Sequence, residues 1–132
     1  MTDLSPVLES LEKIADRHGD PSTAVYTALF DRYPDYEALF VMDTDGGVRG
    51  SMLESAFDYI LERVGGGAPS GIVLGAMRDD HEGYGVAPAD FFAFFVAIRD
   101  TAKTLLSGDW SRREDIAWKT LLVGIEDDLA RA

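Results

Sequence analysis

Apolar side chains recur at intervals of three and four along almost the whole of this 132-residue chain, and no stretch of any length alternates at two. Spacing of that kind gathers them on one face of an α-helix, whereas a half-buried strand needs a period of two. Leu4, Val7, Leu8, Leu11 and Ile14 predict a first helix, with Pro6 in its first turn and Gly19 as its stop. Asp20-Pro21 reads as a cap followed by a helix to about Tyr33, which Pro34 ends, and a short turn leads to Phe40. The cleanest stripe is Met52, Leu53, Ala56, Phe57, Ile60, Leu61 and Val64, broken by Gly65-Gly66-Gly67-Ala68-Pro69. A shorter helix over Ile72 to Glu82 carries Leu74, Met77 and His81 on one face. Pro88 opens a long helix that is apolar nearly all round from Phe91 to Ile98, and so should be the most buried element. Ser111 and Glu114 have capping-box spacing ahead of a last stripe of Ile116, Trp118, Leu121, Leu122, Ile125 and Leu129. The expectation is an all-α fold of six to seven helices.

Neither a repeat nor a linker divides residues 1–132, so one domain is expected. At this length about two-thirds of the unfolded surface is buried, enough for a core without covalent staples. Cysteine is absent, which excludes disulfides, thiolate metal sites and thiol catalysis. Twenty-four acidic residues against twelve basic ones leave a net charge of −12. Binding to nucleic acid or to an anionic membrane surface depends on Lys and Arg meeting phosphate, so neither is an expected partner. Met1-Thr2-Asp3 is acidic where a secretory signal needs a basic region, and the longest apolar run is far short of the roughly 20 residues that span a bilayer. The chain reads as cytoplasmic.

Three fragments resemble site motifs and fail. Asp43, Asp45 and Glu54 occupy positions one, three and twelve of a calcium loop, but Gly47 at the fifth has no side-chain oxygen and Val48 stands where the turn requires Gly. The glycines from Gly65 to Gly71 lack the Lys-Ser/Thr that completes a phosphate loop. His81-Glu82 opens like a zinc-protease helix, yet the position of the second histidine is Gly85.

His81 keeps two readings on residues alone. It shares a face with Leu74 and Met77, so one reading is a core histidine satisfied by backbone carbonyls. The other is an axial ligand to haem iron, with the second ring nitrogen donating to a carbonyl one turn earlier, such as that of Met77 or Asp79. One protein ligand suffices in that case, because the porphyrin supplies four nitrogens.

Landmarks over almost the whole chain resemble the globins, most closely the single-domain bacterial haemoglobins and the globin domain of flavohaemoglobins. Val25-Tyr26 with Leu29-Phe30 and then Tyr33-Pro34 is similar to the family's second helix and its proline turn. Phe40, six residues after that proline, matches the phenylalanine that wedges the haem. His81-Glu82-Gly83-Tyr84-Gly85-Val86 followed by Pro88 resembles the proximal histidine segment, and Ala117-Trp118 matches a pair in the last helix. The resemblance implies a globin fold around haem b (iron protoporphyrin), with His81 on the metal and Phe40, Arg49, Leu53, Met77, Val86, Phe92 and Phe95 about the cofactor. It places Tyr26 at a position where bacterial globins often carry a ligand-stabilising tyrosine. It places Arg49, thirty-two residues before His81, at the distal position usually held by Gln or His. Without the family match, Tyr26 reads as a tyrosine with an apolar body and a wet tip. Arg49 either snorkels to solvent, pairs with a haem propionate at the pocket mouth, or touches the ligand.

A chain of this kind is expected to bind O2, or another diatomic gas such as NO or CO, through an iron with an open distal side. Flavohaemoglobins carry flavin and nicotinamide domains after the globin, and this sequence ends at Ala132. Nitric oxide dioxygenation would therefore need a separate reductase as partner, and no enzymatic activity of the chain alone is expected. Phe91 stands where those relatives have a tyrosine. The reading from another class is a haem-free globin-like sensor or protein-interaction module.

Overall fold

The computed structural model describes residues 3–40, 43–65 and 88–131. Among them are five α-helices, two 3-10 segments and no strand. Helix α1 (Ser5–His18) carries a proline in its first turn and ends on Gly19, whose φ of +70 turns the chain sharply while its N–H closes on the Ala15 carbonyl. The next helix, α2 (Ser22–Arg32), starts one residue later than expected, with Pro21 at its cap position, and the Asp20 carboxylate just before it accepts from the Ser22 backbone N–H at 2.9 Å and from its hydroxyl at 2.6 Å. Pro34 stops it, since proline has no N–H to continue the helix, and the chain tightens into a 3-10 segment (Pro34–Phe40).

Helix α3 (Gly47–Val64) follows the Asp43–Gly46 turn, where Gly46 adopts the left-handed φ of +75. The carboxylate that failed as a calcium ligand caps this helix: its two oxygens take the Val48 and Arg49 N–H groups, each at 3.0 Å. Helix α4 (Pro88–Leu106) leads through a short 3-10 turn (Ser107–Asp109) to helix α5 (Arg112–Arg131). The expected capping box is formed. Ser111 Oγ accepts from the Arg113 N–H at 3.2 Å, while Glu114 reaches back to the Ser111 N–H and hydroxyl. The helix expected over Ile72 to Glu82, with Met77 and His81, lies outside the described residues, as does Val86.

Helix α4 is central, packing on α1, α2 and α5, with α1 also against α5 and α2 against the 3-10 segment. Phe94, Phe95, Ala97 and Ile98 are all buried, in keeping with the apolar run read from the sequence. Trp118 on α5 is fully buried; it stacks on Trp110 at 6.2 Å and donates its indole N–H to Ser10 Oγ at 3.3 Å. The Ser10 hydroxyl in turn donates to the Pro6 carbonyl, so a buried polar pair on α1 is satisfied.

Two residues expected in buried stripes are corrected. Ile116 is 45% exposed and Leu61 43% exposed. Trp118 fixes the rotation of α5, and a residue two places earlier lies on roughly the opposite side of the helix. On α3 the fully buried Ala56, Tyr59 and Ile60 set the inner face, and Leu61 stands roughly a third of a turn away from its centre. Among the described residues no helix is long and apolar enough to cross a membrane.

Candidate functional site

Tyr26, on the inner face of α2, is 4% exposed and stands in a cluster of rings. Phe40 meets it edge-on at 5.4 Å, Phe94 lies at 5.5 Å and Phe30 at 5.8 Å, all within the range of favourable aromatic contacts. The proline stop brings Phe40 there: the 3-10 segment folds back on α2, and Phe40 also contacts Phe30 at 5.7 Å. The Tyr26 hydroxyl emerges from this apolar packing and donates to the Arg49 carbonyl at 3.0 Å, joining α2 to the first turn of α3.

Arg49 is held in place by the residue that caps its helix. Its Nε donates to the Asp43 carboxylate at 3.0 Å and its Nη2 to the Asp43 carbonyl at 2.9 Å. The side chain of Asp43 is 4% exposed and that of Arg49 34%, so the pair sits with the carboxylate inside and the guanidinium at the rim. Burial pushes the Asp43 carboxyl up, but the Val48 and Arg49 N–H groups and the guanidinium outweigh it and leave the carboxyl below the usual carboxylate value. Burial drives the Tyr26 phenol well above the ordinary tyrosine value; the Arg49 charge opposes this and the Asp43 charge adds to it. The phenol therefore keeps its hydrogen and acts as a hydrogen-bond donor.

These side chains line adjoining clefts. One, of about 460 Å³, includes Tyr26, Phe30, Glu37 and Arg49 in its walls. A second, of about 440 Å³, lies between Pro34, Glu37, Phe40 and Arg49. One turn beyond Arg49, Leu53 is buried and lines a third with Phe57. The clefts are thus bounded by aromatic rings, a phenol and one cation, with the carboxylates of Asp20, Glu37 and Asp45 in the same walls.

The other expected site residues are dispersed or lie elsewhere. Phe95 is 1% exposed and sits behind Phe94, edge-on to Tyr59, rather than on the cleft. Phe92 faces a separate groove of about 200 Å³ with Leu29, Arg32 and Val96. His81, Met77 and Val86 are outside the described residues. Sequence reasoning weighed Asp43 only as a calcium position and missed its role. The available signal was an Asp followed by Asp-Gly-Gly ahead of a helical stripe, which marks a helix start as well as a turn. Phe94, between two residues singled out, was passed over although it is the one that reaches Tyr26. No family model, no curated protein and no solved structure matches this chain.

Proposed function

We propose that this chain is a haem-binding globin that reversibly holds O2 or another diatomic gas. The observation that supports the reading best is the meeting of Tyr26, Phe40 and Arg49 at one rim, although α2, the 3-10 segment and α3 each contribute only one of them. His81 would hold the iron of haem b, and the bound group would supply a metal centre able to take a diatomic gas. Phe40 would offer a ring to the macrocycle, and Leu53 and Phe57 would add apolar surface to a cleft that also carries Ser51, Glu54 and Asp58. Arg49, paired with Asp43, would offer its remaining guanidinium donor to a propionate at the cleft rim. Tyr26 would offer its hydroxyl hydrogen to the gas.

That hydrogen is engaged with the Arg49 carbonyl at 3.0 Å. A carbonyl in the body of a helix also accepts from the amide four residues on, so the phenol can leave it without orphaning the oxygen. Redirecting the Tyr26 hydrogen would therefore leave no buried acceptor without a partner. Conversion of NO would require electrons from a reductase.

Titration of the purified apoprotein with haem tests the reading. The expected result is a Soret band that saturates at one equivalent and is abolished or greatly weakened in His81→Ala. A chain that stays colourless with haem in excess would leave the haem-free sensor or interaction module as the better account.

A further inference from the structure

Tyr59 on α3 is fully buried, yet its hydroxyl donates to the carboxylate of Asp128 on α5. One turn further along α3, Arg63 clasps the same carboxylate with both arms of its guanidinium, Nε to Oδ2 at 2.9 Å and Nη2 to Oδ1 at 3.1 Å. Its Nη2 also donates to the carbonyl of Gly124, one turn before Asp128, at 3.1 Å. Both charged side chains are about four-fifths covered, at 22% and 21% exposure. The surface of α5 is hollowed to admit the guanidinium: a Cβ at position 124 would lie 2.6 Å from it. A planar bidentate fork of this kind fixes direction as well as distance.

The most extensive backbone packing of α3 is on α1 and α2, so the bridge to α5 is made by these long side chains. Arg49 and Leu53 lie on the same inner face, two to four turns toward the N-terminus. Asp43 holds the Arg49 side chain locally, and a clasp at the far end of a rigid helix can bias the azimuth at which the Arg49 end sits. We propose that Asp128 is a positioning residue: by holding Tyr59 and Arg63 it fixes the rotation of α3, and with it the seat of Arg49 and its carbonyl above the cleft.

The proposal rests on the globin reading only for its consequence at a gas ligand; the geometry it concerns is measurable without haem. The experiment is amide hydrogen exchange on the full apoprotein, comparing wild type with Asp128→Asn, Asp128→Glu and Tyr59→Phe. Losing the charged acceptor should speed exchange of the Val48 and Arg49 amides, at the far end of α3, by roughly tenfold. The amides of α1 should be unchanged, and Asp128→Glu should recover most of the protection. If Asp128→Asn does not fold, Tyr59→Phe, which removes one hydroxyl, should give the same pattern at smaller amplitude. Faster exchange confined to residues 60–64 would overturn the proposal, as would parallel acceleration of every helix. Haem uptake by the wild type, measured separately, decides the globin reading whatever the exchange pattern.

Discussion

Tyr26 has one hydroxyl hydrogen and two places to aim it. In the structure it donates to the Arg49 carbonyl, so Tyr26→Phe should lower the stability of the apoprotein by about 1 kcal/mol in urea unfolding, the net value of one such bond. If the same hydrogen serves a bound gas, the substitution should also speed O2 dissociation roughly tenfold to a hundredfold, with little effect on CO. The phenols of Tyr26 and Tyr59 are both raised above the ordinary tyrosine value by burial, and Tyr59 additionally by its bond to Asp128. A raised phenol stays protonated in the fold and ionises only once unfolded. Its contribution is complete below the unfolded value near ~10 and is lost as pH climbs beyond it. Denaturation midpoints followed from pH 9 to about 11 should therefore fall, and Tyr59→Phe should flatten that fall. Tyr26 and Phe40 were singled out by the resemblance alone, and the structure brings their rings to 5.4 Å. The role of Asp43 was not legible: whether an acidic loop residue binds a cation or caps a helix depends on which backbone N–H groups the turn aims at it, and that is set by the left-handed Gly46 rather than by residue type.

Helix ends and helix rotations separate what the chain states openly from what packing decides. The caps at Gly19, Asp20 and Ser111 follow from short-range chemistry and stand within a residue of where the pattern puts them. Ser111→Ala should cost about 1 kcal/mol of stability by thermal or urea unfolding, as loss of a serine cap does. The stripe read on α5 holds at Trp118, Leu121, Leu122, Ile125 and Leu129 and fails at Ile116, which is as apolar as the residues that pack but lies off the face that the Trp118 indole fixes against Ser10 and Trp110. Gly124 tests the same helix from the other direction. An alanine in a helix interior is ordinarily about 1 kcal/mol better than glycine. Here its methyl would displace the Arg63 guanidinium, so Gly124→Ala should destabilise the protein, by about 1 kcal/mol once the lost charged hydrogen bonds are set against the propensity gain. In an Arg63→Ala background the sign should reverse and the alanine should stabilise. Equal effects in the two backgrounds would show that Arg63 does not occupy the hollow.

At the scale of the molecule, the all-α class was legible from periodicity alone, and α4 as the central helix from its apolar run. The partners of each helix were not, because periodicity says that a face is buried and not against what; Phe92 and Phe95, three residues apart on α4, face different neighbours for that reason. The net charge of −12 implies self-repulsion spread over the surface, with few bases to relieve it. Moderate salt should accordingly raise the melting temperature of the apoprotein, because screening weakens the many like-charge pairs more than it weakens the partly buried Arg63–Asp128 clasp. The central claim joins this helical frame to one imidazole, and CO is its most direct probe. The absorbance spectrum of the reduced, haem-loaded protein should show a sharp Soret shift on adding CO and return when the gas is removed, and His81→Ala should lose both the stoichiometric haem and the shift. A wild-type spectrum that does not change with CO, or a His81→Ala protein that behaves as the wild type does, would contradict the account.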